Sequence, residues 1–177
     1  MRVVGGRLGG RRLHAPREGA IRPTSDRVRE AIFSILGGTV VEARVLDLYA
    51  GTGAMAIEAQ SRGAREAVCV EREPAALRAL RRNVNELGLA ETTRVVRARA
   101  LDFCRRIPED GTRFDVVFCD PPYRDDLAPI LDVIASSDWW DRVWVLEHAA
   151  RRSLPELPEG ADTRRWGDTA ATFLWRA

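Results

Sequence analysis

At 177 residues the chain has room for one well-buried domain with a short appendage, and its 45% hydrophobic and 31% charged residues exclude the disordered and fibrous classes. No apolar run approaches the roughly 18–20 residues that span a bilayer, and polar and basic residues stand where a signal peptide has its apolar stretch, so a cytoplasmic protein without membrane contact is expected. The formal net charge is only +2, but residues 1–30 carry eight arginines against Glu18, Asp26 and Glu30, an asymmetry that points to an anionic partner.

The chain contains no lysine, so arginine abundance is weak evidence and its clustering is better. Cys69, Cys104 and Cys119 form no C-x-x-C pair and His14 and His148 are the only histidines. Neither disulfides, nor a metal site, nor a Ser-His-Asp arrangement is expected, and the thiols read as core residues.

In chain order, Arg2 to Val4 reads as a short strand, Gly5, Gly6, Gly9 and Gly10 as a turn, and Arg11 to His14 as a second short strand. Thr24 or Ser25 can cap a helix whose apolar positions Val28, Ile32 and Ile35 recur at helical spacing up to Gly37. From Arg44 the pattern alternates. Strands are expected at Arg44 to Leu48, Glu66 to Glu71, Thr93 to Arg97, Phe114 to Cys119 and Arg142 to Glu147. Helices are expected from about Gly53 to Ser61, Pro74 to Leu87, Leu101 to Arg106 and Leu127 to Ala135. Two last runs, Asp162 to Trp166 and Ala170 to Trp175, flank Gly167-Asp168-Thr169 and fit an antiparallel hairpin. The rhythm predicts an α/β fold with a mostly parallel seven-stranded sheet covered on both faces, closed by a C-terminal antiparallel hairpin. Residues 1–20 are expected to form a basic N-terminal arm and residues 21–177 the main domain.

Asp47, at the end of the first of these strands, leads into Gly51-Thr52-Gly53-Ala54 at a strand-to-helix turn, where glycines let backbone approach a ligand. Glu71 follows Gly51 by 20 residues, the position at which a doubly wound sheet offers an acidic side chain to a ribose. Together they predict an adenosine-containing cofactor. Gly51 to Ala56 also satisfies the G-x-G-x-x-A form of the dinucleotide fingerprint, so a nicotinamide-dependent dehydrogenase competes at this point.

Asp120-Pro121-Pro122-Tyr123 separates the two. It follows a strand whose carboxyl end lines the same crevice. An amine conjugated to a base ring is a poor nucleophile until hydrogen-bond acceptors draw its lone pair out of conjugation. The Asp120 carboxylate and the Pro121 carbonyl can accept both N–H bonds, with backbone restrained by the prolines, and Tyr123 supplies a flat surface for a base. A dehydrogenase gives this loop no role. Transfer of a methyl group from a sulfonium needs positioning and electrostatics and no covalent enzyme intermediate.

Four segments carry a resemblance: Arg2 to Gly6 with Gly10 to Leu13; Arg22-Pro23-Thr24-Ser25-Asp26-Arg27-Val28-Arg29-Glu30 with Phe33; Asp47 through Gly63; and Asp120 to Tyr123. Over nearly its whole length the chain resembles the RsmD family of bacterial 16S rRNA guanine-N2 methyltransferases, and the second segment is the most specific of the four. The resemblance implies a Rossmann-like methyltransferase fold with a small N-terminal β-hairpin, S-adenosylmethionine as methyl donor, and guanine 966 of 16S rRNA as target, in the small ribosomal subunit or its assembly intermediate. By matching position, Asp47, Gly51 and Gly53 are expected to hold the methionine part of the cofactor, Glu71 its ribose, and Asp120, Pro121 and Tyr123 the guanine. Thr24, Arg22 and Arg27 are expected to close over the cofactor or meet RNA. Arg99 stands where the family often has Asp or Asn against the adenine, and Asp102 is the candidate to replace it.

The arm, with Arg7, Arg11 and Arg12 among glycines, fits a flexible phosphate-binding element that orders on RNA. The target base must leave its stack to reach Tyr123. Trp139, Trp140, Trp144, Trp166 and Trp175 are read mainly as packing residues. The competing activities are an amino methyltransferase acting on DNA adenine or protein glutamine and, in a second class, a catalytically idle RNA-binding module.

Overall fold

The computed structural model describes residues 1–16, 25–107, 111–154, 157 and 160–176. Its seven strands are β1 (Arg44–Leu48), β2 (Glu66–Glu71), β3 (Thr93–Arg97), β4 (Phe114–Cys119), β5 (Trp140–Ala149), β6 (Asp162–Trp166) and β7 (Thr169–Trp175). They lie in the order β3-β2-β1-β4-β5-β7-β6. The first five run parallel, and β7 pairs antiparallel with both β5 and β6. The parallel sheet and terminal hairpin expected from the alternating pattern are therefore present, and β1 and β4 meet at the centre, where the strand order reverses.

The helices α1 (Asp26–Leu36), α2 (Ala54–Ser61), α3 (Pro74–Glu86), α4 (Ala100–Cys104) and α5 (Ala128–Ser136) cover both faces. Central strands buried on two sides alternate between two cores. Val45, Cys69, Val116, Phe118, Val143 and Val145 meet α1, α2 and α3 through Ile32, Phe33, Ile57 and Leu80. Leu46, Leu48, Val70, Val117, Trp144 and Leu146 meet α4 and α5 through Cys104, Ile130 and Ile134.

Ser25 is the cap of α1: its Oγ accepts the Val28 N–H at 3.2 Å. β5 is longer than its apolar run, because Trp140 pairs with Phe114 at one end and Ala149 with Thr169 at the other. Trp139, Trp140 and Trp144 are buried together, and all three cysteines are buried and free. Trp175, by contrast, is exposed and stacks on Phe173.

The N-terminal hairpin departs from the flexible arm expected above. Arg2 and Arg12 form a single antiparallel bridge, with a 3-10 turn at Gly6–Leu8 between them. Val3, Leu8 and Leu13 are buried in the core of the α1–α3 face. The hairpin is docked because its backbone finds buried acceptors. Val4 and Gly5 donate to the two oxygens of Glu58 at 2.7 and 2.8 Å, and Leu8 N–H donates to Ser61 Oγ at 2.9 Å.

Candidate active site

The register brings four carboxylates to one edge. Asp47 lies beside Cys69 and Phe118, and Cys119 beside Leu146. Glu71, Asp47, Asp120 and Glu147 thus stand at the carboxyl ends of β2, β1, β4 and β5, which are adjacent in that order. Strand alternation puts all four on the α1–α3 side, with Cys69, Val45, Phe118 and Val145 two residues before them in that core. Sequence reasoning does not single out Glu147. Its signal is present, an acidic residue ending an apolar strand, but its neighbour is set by sheet order.

Between β1 and α2 the chain turns through Tyr49 (φ 60°), Gly51 (φ 56°) and Gly53 (φ 81°). Glycine is favoured at 53 by its left-handed φ, and a Cβ there would also lie 2.3 Å from Leu80 Cδ1. Tyr49 adopts the left-handed region without glycine's freedom, a costly conformation of the kind that accumulates at functional sites. Gly51 N–H donates to Glu71 Oε2 at 2.8 Å, while Glu71 Oε1 accepts from Arg72 and Glu73 N–H at 2.6 and 2.9 Å. Three of the roughly four lone-pair positions of this carboxylate are filled. One acceptor position is left for a further donor. Asn83, also absent from the sequence reading, donates to the carbonyls of Thr52 and His14 at 2.9 and 3.0 Å, tying the hairpin to the glycine turn.

Asp47 Oδ2 accepts the Ala56 N–H at 3.1 Å and so closes the first turn of α2 from the neighbouring strand. Burial is the main reason its carboxyl is raised to about 7; the Ala56 bond opposes that rise and Glu71 adds to it. The folded state therefore holds this proton more tightly than the unfolded chain. Its favourable contribution is full below the unfolded value of 3.8 and is lost as pH rises towards about 7. Asp47→Asn, neutral throughout and still an acceptor for Ala56, is expected to gain up to roughly 4 kcal/mol on the native protein across that window. Urea midpoints of both proteins at a series of pH values check this; a difference independent of pH would refute it.

Asp120 follows β4 directly, and its carboxyl is pushed well above the ordinary range, by burial first, then by Glu147 and Asp47. Pro121 is buried and Tyr123 half-buried. The tyrosine is held at both ends: its Oη lies 3.2 Å from Thr169 Oγ1, and its carbonyl accepts from Arg152 Nη1 at 2.9 Å. Acceptors, flat ring and rigid turn are thus assembled at the end of β4.

The remaining expected residues are more dispersed. Asp102 lies in the first turn of α4, within 3.5 Å of Arg105, and Ala98 N–H donates to the Glu71 carbonyl at 3.2 Å, which brings the start of this segment beside β2. Arg7, Arg11 and Arg12 are exposed on the docked hairpin, and Arg27 is exposed on α1. Arg22 and Thr24 lie outside the described residues. Arg29, in the same segment, is wholly buried. It donates to the Arg2 carbonyl and to Asp26 Oδ1, and its Nε is 3.5 Å from Glu58 Oε2. Within the R-P-T-S-D-R-V-R-E motif, Ser25 therefore caps α1 while Asp26 and Arg29 lock the hairpin.

Comparison with known proteins identifies the family and the fold. The family model described as "Conserved hypothetical protein 95" matches residues 1–175. The chain is 35% identical over 161 residues to ribosomal RNA small subunit methyltransferase D of Escherichia coli K12, covering 89% of this chain and 79% of that protein. A hypothetical protein of Thermus thermophilus has a solved structure that superposes with a TM-score of 0.85 at 35% identity, covering 98% of each chain. The fold alone is shared with a SAM-dependent methyltransferase of Agrobacterium tumefaciens, at 22% identity and a TM-score of 0.59, over 71% of this chain and 45% of that one. With the four strand-end carboxylates, the glycine turn and the Asp120 loop all in place, the chain belongs to the Conserved hypothetical protein 95 family, the RsmD family that contains ribosomal RNA small subunit methyltransferase D.

Proposed function

We propose that this protein is an S-adenosylmethionine-dependent methyltransferase that modifies the N2 amine of a guanine in 16S rRNA, guanine 966 by family resemblance, during maturation of the small subunit. The observation that carries the guanine assignment is the adjacency of Asp120 and Glu147 at the ends of β4 and β5, with Pro121 next in the chain. A guanine offers three N–H donors in a row, two on N2 and one on N1, whereas the N1 of adenine is an acceptor. A site lined by two carboxylates and a carbonyl suits the first edge and repels the second.

The residues fit the cofactor. Glu71 offers a buried carboxylate towards a ribose hydroxyl, Asp47 and the Gly51–Gly53 turn a close, acidic approach for a cation, and Asp102 an acceptor near the adenine side. When bound, the cofactor supplies a methyl group on a positively charged sulfur. Asp120 and the Pro121 carbonyl hold the two N2 protons so that the amine lone pair leaves conjugation with the ring, Asp120 or water takes the proton that N2 loses on methylation, and Glu147 faces the N1 proton. Tyr123 stacks on the extruded base, its tilt set by Thr169. Arg7, Arg11, Arg12 and Arg27 contribute positive charge to RNA phosphates.

The test is incubation with radiolabelled S-adenosylmethionine and small subunits from cells lacking their own enzyme, followed by nucleoside analysis. The expected product is N2-methylguanosine, mapped to the fragment carrying the loop guanine. Label in N6-methyladenosine, or in protein glutamine alone, would overturn the substrate assignment, and absence of any transfer would overturn the rRNA reading.

A further inference from the structure

The Asp120 loop is buttressed on one side by the end of β5 and the β6–β7 turn. Besides the Tyr123–Thr169 and Tyr123–Arg152 bonds, Ala150 N–H donates to the Asp168 carbonyl at 2.9 Å and fastens that turn to the segment carrying Arg152. Arg165 lies opposite Ala170, which in turn lies opposite His148, so Arg165 and His148 share one face of the sheet. His148 is held below its ordinary range, chiefly by burial and further by Arg152 and Arg165. Arg165 therefore lies near the His148 ring on the sheet face opposite Glu147, while Arg152 near the same ring reaches the loop that holds Tyr123.

Among the described residues no carboxylate lies within ion-pair distance of Arg152 or Arg165, whereas the adjacent Arg164 pairs with Asp162 at 2.9 Å. Arg165 is exposed, and Arg152 is half-buried. Only one of the five N–H donors of Arg152 has a partner among the described residues, the Tyr123 carbonyl. A planar guanidinium so anchored can still present a pair of donors to a phosphate. Extrusion of a base leaves its flanking phosphates at the mouth of the pocket, where a fixed positive surface is needed.

We propose that Arg152 and Arg165 form a phosphate-binding surface for the RNA strand flanking the extruded guanine, and that Arg152 couples this contact to the placement of Tyr123. The inference rests on the rRNA reading above. It puts RNA contact at the C-terminal hairpin in addition to the basic N-terminal one.

The measurement is binding of the intact protein to small subunits from cells lacking their own enzyme, over a series of salt concentrations, alongside methyl transfer and cofactor affinity. Arg165→Ala is expected to weaken subunit binding about tenfold and to lower the slope of log affinity against log salt by about 0.7–0.9. Cofactor affinity is expected to stay unchanged. Arg152→Ala should weaken binding similarly and also lower kcat, and Arg152→Lys should restore the salt slope but not the kcat, since it keeps the charge and loses the fork. Native methylation with unchanged affinity and slope in Arg165→Ala would overturn this surface alone. Failure of the native protein to methylate the subunit would overturn the rRNA reading and the inference with it.

Discussion

Asp120→Ala is expected to lower methyl transfer on the order of a thousandfold while leaving cofactor binding in place. The substitution removes the carboxylate that holds the amine at the end of β4. Glu71 and the glycine turn, the groups placed against the cofactor, sit on β2 and after β1 and are untouched. The pH profile gives a sharper test. Burial, then Glu147 and Asp47, push the Asp120 carboxyl well above the ordinary range, so the ionised acceptor becomes available only as pH rises. Activity of the native protein should climb at a pH higher than an ordinary carboxylate would give. Glu147→Gln removes one of the two charges that raise Asp120, so its climb should move to lower pH. Rate profiles of both proteins at saturating cofactor check this, and coincident profiles would refute the coupling.

The second large effect concerns stability. Glu58 is wholly buried, accepts from Val4, Gly5 and Arg62 Nε, and faces the buried Arg29. Glu58→Ala leaves a guanidinium and two backbone donors inside the protein without this acceptor. The expected cost is about 3–5 kcal/mol, a fall in Tm on the order of 10 °C for a domain of this size. Glu58→Gln, which keeps an acceptor for the backbone but loses the charge, should fall between the two. Thermal unfolding of the three proteins decides it; a loss below about 1 kcal/mol in the alanine variant would mean that the pair contributes no more than a surface bridge. Because Asn83 ties the same hairpin to Thr52, undocking should also loosen the glycine turn and raise the KM for cofactor.

The motif of Arg22 to Glu30 carries structural roles beside the cofactor or RNA contacts expected of Arg22, Thr24 and Arg27. In the structure Ser25 caps α1, while Asp26 and Arg29 reach the hairpin through the Arg2 backbone and side chain. A charged residue on a helix looks solvated in sequence, and only the packing of a distant segment over it makes it a buried pair.

What can be read from the residues alone is mostly local. Strand and helix positions follow from apolar periodicity and the Gly and Pro residues between them. The glycine turn and the Asp120 loop are each a few consecutive residues, so their chemistry is written next to the strand that delivers them. Folding in three dimensions sets the relations between residues far apart in the chain. Sheet order brings Glu147 beside Asp120, antiparallel pairing carries Thr169 to Tyr123 and Arg165 to the face of His148, and burial turns Arg29 and Glu58 into a lock for a segment that reads as a loose arm. These relations depend on which strands become neighbours and which surfaces lose water on folding, and neither is encoded in a local period.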